Sequence, residues 1–158
     1  MVDFVSKPRY DLEDLKSLMH LLRSEDGCPW DRKQTHESIR DNLPEEAGEA
    51  AEAIDSGNKE DLLEELGDVL LQVAFHSEIA SEKNVFTLDD VINATCKKLL
   101  RRHLHVFGNV KADSETESLM VWDKIKQIEK VARKQGRRIS DMTVEEMERL
   151  YAQTELEK

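Results

Sequence analysis

The run Leu43-Pro44-Glu45-Glu46-Ala47-Gly48-Glu49 is echoed nineteen positions later by Leu62-Leu63-Glu64-Glu65-Leu66-Gly67-Asp68, so that Leu-x-Glu-Glu-x-Gly-acid occurs twice. If both runs are helical, Leu43, Ala47, Ala50 and Ile54 form an apolar stripe on one helix, and Leu62, Leu66, Val69 and Val73 form its counterpart on the other. At about 100° per residue, Glu46 and Glu49 stand about 60° and 120° to one side of their stripe, and Glu65 and Asp68 stand at the same offsets from theirs. Folding the two runs into an antiparallel hairpin turns equal offsets toward the same side. The pairs also lie about ten and about nine residues from the turn, which at about 1.5 Å per residue sets them on one level. Four carboxylates meeting there would repel unless protonated or bridged by cations. With no histidine or thiolate among them, hard oxygen ligands suit Mg²⁺ or Mn²⁺ better than zinc.

A plainer reading stays open on geometry alone, because acids at i, i+3 also arise as an ordinary solvated helix face. Gly48 and Gly67 lean toward a site: a mid-helix glycine costs on the order of 1 kcal/mol relative to alanine and suggests a close helix approach or a nearby ligand.

Downstream the character reverses. Residues 97–138 hold twelve lysines and arginines against five acids. Lys98, Arg101 and Arg102 fall at i, i+3, i+4, and Trp122 and Lys126 are four apart. A divalent ion, cationic side chains and an aromatic plane together suit a polyphosphate carrying a base, although a tryptophan on a helix also serves as a core anchor and basic clusters often only face water. His103-x-His105 has no second cluster to complete a transition-metal site, and His36 and His76 read as ordinary histidines. No serine, cysteine or glycine-rich phosphate loop stands in a nucleophile or nucleotide-loop context.

The elements that must position these groups are helices. The chain has 158 residues, a net charge of −11, 36% charged residues, six glycines and three prolines. That predicts one all-α domain over residues 1–158, and the acidic balance argues against a protein that coats nucleic acid. Residues 1–10 lack the pattern of a signal peptide, and the apolar stretch around Val69–Phe75 is broken by Gln72. Neither predicts contact with a membrane. Cys28 and Cys96 are too few and too far apart for a disulfide framework, which predicts reduced thiols and a cytoplasmic location.

Spacing predicts a first helix through Leu12, Leu15, Met19 and Leu22, ending near Gly27-Cys28-Pro29, then a loop or short helix over 28–41. A second helix runs from Asn42 to Asp55, with Gly57 as its C-terminal cap. A third runs from Asn58 to about Lys83, and a fourth from Thr87 to about His103. Ser114-x-x-Glu117 and Thr143-x-x-Glu146 have capping-box spacing and predict two more helix starts, the second opening an extra C-terminal helix over 143–158. Residues 108–113 and 136–142 read as loops, and the tail after Leu150 is expected to fray. Leu63, Leu70, Ala74 and Phe75 widen the apolar face of the hairpin beyond what one hairpin can cover, so further helices or a second chain must pack there. A homodimer is expected, with a tetramer left open.

Taken together, Gly27-Cys28-Pro29-Trp30-Asp31, Gln34-Thr35, Glu45-Glu46-x-x-Glu49, Glu65-x-x-Asp68, Lys98-x-x-Arg101-Arg102-His103, His105-Val106-Phe107-Gly108 and Trp122-x-x-x-Lys126 resemble the MazG family of nucleoside triphosphate pyrophosphohydrolases. The likeness covers about residues 12–130. It implies an all-helical bundle of the all-α NTP pyrophosphatase type that dimerises and splits nucleoside triphosphates into monophosphate and pyrophosphate with Mg²⁺. By that likeness Glu46, Glu49, Glu65 and Asp68 hold the metal, and Lys98, Arg102, Trp122 and Lys126 contact the nucleotide, with Arg101 and Trp30 as further candidates. Glu45, a carboxylate beside the ligand set, or a ligand carboxylate at the edge of the site, is a candidate to take a proton from the attacking water, and the sequence does not choose between them. Leu104 stands where the family usually has proline, which predicts that the fourth helix runs on past its usual end. Longer members carry two such domains in tandem, and this chain has room for one. Two other classes compete: a non-catalytic helical dimer that senses nucleotides, and a redox carboxylate bundle, whose characteristic Glu-x-x-His pairs are missing from these positions.

Overall fold

The computed structural model describes residues 4–156, and among them there are eight α-helices, one 3₁₀ turn and no strand. The first helix, α1 (Leu12–Arg23), opens on a capping box, in which the Asp14 amide donates to Asp11 Oδ1 at 3.1 Å and the Asp11 amide donates to Asp14 Oδ2 at 3.1 Å. Gly27 turns the chain where a Cβ would strike the Leu21 and Leu22 carbonyls, so no larger residue fits. A short α2 (Pro29–Lys33) follows, with proline in its first turn, where a missing N–H costs nothing.

The expected hairpin is α3 (Asn42–Ser56) and α4 (Lys59–Glu82). Gly57 at φ 72° ends α3 in the left-handed conformation that favours glycine, and the Asn58 side chain accepts from the Glu60 amide at 3.0 Å to start α4. The next helix, α5 (Leu88–Arg102), begins at Thr87, whose hydroxyl accepts from the Asp90 amide at 3.2 Å while Asp90 Oδ2 accepts from the Thr87 amide at 2.8 Å. The chain divides within α5 into two units, the first ending at Val91 and the second beginning at Ile92.

In the first unit α1 packs on α4, and Met19, Ile39, Ala74, Phe75, Ile79 and Leu88 make the buried core. Ala74 and Phe75, expected to need cover, receive it there. Buried Arg23 ties this unit together: its guanidinium meets Glu82 at 2.6 and 2.8 Å, donates to the Asp31 carbonyl and, at 3.3 Å, to the Gln34 carbonyl, and lies over the Phe75 ring.

The stripes of the hairpin differ from expectation. Leu43, Ala47, Ile54 and Leu66 are exposed, while Ala50 is buried as expected and Ala53, outside the expected stripe, turns inward with it. α3 packs chiefly on α4 alone, so two alanines suffice to seat it closely and its larger apolar groups find no third element. Leu63, Leu66 and Leu70, at helical spacing on the N-terminal half of α4, are 77%, 54% and 44% exposed.

In the second unit the expected extension of α5 is overturned. The helix stops at Arg102, His103 leaves helical geometry at φ −110°, ψ 52°, and a one-turn α6 (Leu104–Phe107) restarts the chain. Leu104 is completely buried among Val121, Ile125 and Met147, and turning it inward requires the change of direction that a straight helix would forbid. Next, α7 (Glu115–Lys134) is capped by Ser114, and a 3₁₀ turn (Ile139–Asp141) leads to α8 (Val144–Leu156). At Thr143 the expected capping box is complete, with bonds of 3.2 and 2.9 Å to and from Glu146. The frayed tail is also corrected: α8 continues to Leu156, because Met147, Leu150 and Tyr151 pack into the second core. The last two positions of that expected helix, and residues 1–3 of the expected domain, lie outside the described residues. No helix among the described residues is long and apolar enough to cross a membrane.

Candidate functional site

The short turn at Gly57 and Asn58 brings the two acidic motifs back alongside each other, so the carboxylates converge. Ligand oxygens of Glu46, Glu49 and Glu65 all lie within 4.8 Å of one another. Asp68 falls outside that trio, but its charge acts on both Glu46 and Glu65. Glu45 is exposed on the neighbouring side of α3 and acts on Glu46 more weakly than Asp68 or Glu49 does.

The electrostatics of this group are those of a site lacking a counter-charge. Burial, and then the charges of Asp68 and Glu49, push the Glu46 carboxyl above its ordinary value, against the opposing effect of a hydrogen bond from Gln72. Burial, followed by Glu49 and Asp68, does the same to Glu65. Among the described residues no lysine, arginine or histidine forms an ion pair with Glu46, Glu49, Glu65 or Asp68. Glu65 Oε2 is buried with no hydrogen-bond partner. An orphaned carboxylate oxygen, two carboxyls pushed up by burial and by neighbouring carboxylates, and an all-oxygen donor set together fit a hard divalent cation.

Gln72, which interrupts the apolar run in the sequence, is buried at 5% exposure and donates to Glu46 Oε1 at 3.3 Å. It also lines a cleft of about 170 Å³ with Trp30, Asp31, Asn42 and Phe75. Trp30 is 58% exposed and meets the Phe75 ring edge-on at 6.4 Å, so α2 presents it at the mouth of that cleft. One turn beyond Gln72, His76 Nδ1 is 2.8 Å from His36 Nδ1, which needs one ring to donate and the other to accept. Burial and the neighbouring His36 push His76 down.

Gly48 and Gly67 face open space, which removes close helix approach as their reason. Gly48→Ala and Gly67→Ala are therefore expected each to add on the order of 1 kcal/mol of stability in urea denaturation. A loss of activity on top of that gain would show that a ligand or a second chain comes within reach of these positions.

The basic candidates lie in the second unit. Lys98 is exposed, whereas Arg101, three residues on, is buried at 5% exposure, and burial pushes its guanidinium below its ordinary value. Arg102 Nη2 donates to Glu129 Oε2 at 2.7 Å, and Arg101 Nη2 stands 4.0 Å from Glu129 Oε1. Trp122 is met edge-on by His103 at 5.0 Å, while Lys126 Nζ lies 5.7 Å from the Trp122 ring centre and 3.2 Å from Asp123 Oδ1. Sequence reasoning missed Glu129 and Gln72 as parts of a site. A signal for Glu129 was present: it follows Trp122 by seven residues and so shares its helix face.

The family model described as the MazG nucleotide pyrophosphohydrolase domain matches residues 34–107, which hold all four converging acids together with Lys98, Arg101 and Arg102. The nucleoside triphosphate pyrophosphohydrolase/pyrophosphatase MazG of Thermotoga maritima is 53% identical over 125 residues, covering 79% of this chain and 48% of that protein. The uncharacterized protein YabN of Bacillus subtilis is 45% identical over 121 residues, 77% of this chain and 25% of that one. The nucleoside triphosphate pyrophosphohydrolase of Escherichia coli K12 is 38% identical over 132 residues, 83% of this chain and 50% of that one. This chain thus spans half or less of the length of these curated relatives. No solved structure matches it. With the carboxylate motifs and the basic helix that follows them inside the matched segment, residues 34–107 match as a MazG nucleotide pyrophosphohydrolase domain, the family to which this chain is similar.

Proposed function

We propose that this chain hydrolyses nucleoside triphosphates to monophosphate and pyrophosphate, with Mg²⁺ as cofactor and Mn²⁺ as a substitute. The observation that carries this reading is the convergence of Glu46, Glu49 and Glu65 within 4.8 Å, with one buried Glu65 oxygen left without a partner. Its relatives from Thermotoga maritima and Escherichia coli bear the corresponding names.

Glu46, Glu49, Glu65 and Asp68 would hold the cation. When bound, Mg²⁺ would supply neutralisation of triphosphate charge and acidification of a water. The chain's own part is to fix the carboxylates. Gln72 orients Glu46 through its amide, and the two-residue turn holds the arms of the hairpin in register. Glu45, exposed beside the ligand set, accepts the proton of the attacking water. Lys98, Arg102, Trp122 and Lys126 contact the nucleotide and its phosphates, and Trp30 offers an open aromatic edge at the cleft that Gln72 also lines. Free Cys28 and Cys96 accord with the cytoplasmic location that belongs to the same proposal.

The test is a panel of ribo- and deoxyribonucleoside triphosphates with products identified. Pyrophosphate and monophosphate in equal amounts, with Mg²⁺ and not with chelator, is the expected result. Orthophosphate as the product would overturn the reading, and tight nucleotide binding without pyrophosphate would mark a sensing module instead. Running the reaction in ¹⁸O-labelled water shows which phosphorus is attacked.

A homodimer is part of the proposal. Leu63, Leu66 and Leu70 on α4 and Ile54 on α3 leave the hairpin with an apolar flank of the kind a second copy covers. Leu66→Asp with Leu70→Glu is expected to convert the protein to monomer in analytical ultracentrifugation. An unchanged sedimentation coefficient would move the interface elsewhere.

A further inference from the structure

Glu129 is a carboxylate at 3% exposure in the middle of α7, and its two oxygens face two guanidinium groups. Oε2 accepts from Arg102 Nη2 at 2.7 Å, and Oε1 stands 4.0 Å from Arg101 Nη2. Two cations therefore share one anion, and Arg133, whose charge also acts on Arg101, adds to the positive excess around it. Arg101 cannot offer that charge to a ligand: it is 5% exposed, and its Nε and Nη1 are buried without partners. Arg102 can, because a quarter of its side chain is open, while its Nε is buried and its Nη2 is held by Glu129. Glu129 also follows Trp122 by seven residues and Lys126 by three, so it stands on the face of α7 that carries both.

We propose that Glu129 is a positioning residue for the substrate: it locks the Arg102 guanidinium in one orientation, so that a phosphate group of the nucleotide meets a preset donor, while Arg101 backs the shared carboxylate from the buried side. This rests on the pyrophosphohydrolase reading and adds to it the group that makes Arg102 a fixed contact. A guanidinium held at one nitrogen loses less freedom when a phosphate arrives, so the orientation shows up as affinity for substrate.

The experiment compares wild type, Glu129→Gln and the double variant Arg101→Met/Glu129→Gln, all as full chains, by initial rates against Mg²⁺–nucleoside triphosphate and by thermal midpoint. Glu129→Gln is expected to raise KM by about tenfold, with kcat falling much less, because a contact made already in the bound ground state is lost. It also lowers the midpoint, since it leaves buried Arg101 and half-buried Arg102 without their anion. The double variant removes the stranded charge, so its midpoint returns toward wild type while its KM stays raised. Recovery of both together in the double variant would make Glu129 a neutraliser of Arg101 alone and overturn the proposal, as would an unchanged KM in Glu129→Gln. If the single variant fails to fold, the double variant carries the same comparison. A wild type that neither binds nucleotide nor releases pyrophosphate overturns the pyrophosphohydrolase reading and this proposal with it; an active wild type whose Glu129 variants keep its KM overturns only this one.

Discussion

Glu65→Gln is expected to cut Mg²⁺-dependent pyrophosphate release by more than about a hundredfold and, at the same time, to raise the melting midpoint of the chelated protein. The two effects have one cause. Glu65 sits among Glu46, Glu49 and Asp68 with one oxygen buried and unpartnered, and its carboxyl is pushed up from its ordinary 4.5 by burial and by its neighbours' charges. An acid whose native value is raised opposes folding wherever it is ionised. The native state binds more protons than the unfolded chain between the ordinary and the raised value, so stability increases as pH falls through that window and levels off below 4.5. The penalty is therefore present wherever the carboxyl is ionised, and a neutral amide of the same shape removes it. Calorimetry with chelator at pH 7 and at mildly acidic pH measures both consequences: wild type gains on acidification, Glu65→Gln gains less, and Mg²⁺ raises the wild-type midpoint most of all. A Glu65→Gln protein less stable than wild type in chelator would mean that the carboxylate is held by a partner within the fold, and the proposed site would lose its main support. Glu49→Gln and Asp68→Asn are expected to lose activity in the same way with the fold retained.

Arg23→Met carries the largest expected cost to stability, about 3 kcal/mol, read as a shift of the urea midpoint at constant slope. Little of that comes from the ion pair as such, because Glu82 is 37% exposed and screened by water. The loss arises from what the guanidinium reaches on its other side: the Asp31 and Gln34 carbonyls are left without this donor, and the Phe75 ring loses the cation packed over it. Those carbonyls end α2, so the segment carrying Trp30 loosens with them, and cleavage by a nonspecific protease between about residues 28 and 41 is expected to quicken. A destabilisation below about 1 kcal/mol, or no change in cleavage, would show that α2 is held by its apolar contacts alone.

The hairpin was legible because its instructions are local. Gly57 needs a left-handed backbone, Asn58 caps the next helix, and two acid pairs at i, i+3 follow at known angles; no distant residue is needed to read any of that. Thr87 and the Thr143–Glu146 pair declared their helix starts for the same reason. The misreadings all depended on what packs where. Leu43, Leu66 and Ile54 have the spacing of a buried stripe but no neighbour to bury them, and helical period alone does not reveal that α3 has one packing partner where α4 has two. Leu104 breaks a helix that proline was expected to break, because burial in a core made by α7 and α8 does the same work from a distance. Within the site, the glutamates announced themselves by type and repeat. Gln72 looked like a blemish in an apolar run until its amide was seen against Glu46, and Glu129 was one acid in a basic region until two arginines were found on it.

The brevity of the bend at Gly57 sets how this protein can vary. Adding one residue to α3 between Glu49 and the bend would swing Glu46 and Glu49 by about 100° relative to their counterparts, and no slack in a two-residue link absorbs such a rotation. Length is thus frozen from Glu46 to Asp68, and innovation there must come letter by letter, while the irregular stretches at 24–28 and 34–41 can lengthen without disturbing the acids. Descendants of this gene that acquire new preferences should therefore differ in the size of those stretches and agree, residue for residue, in the count between the two arms.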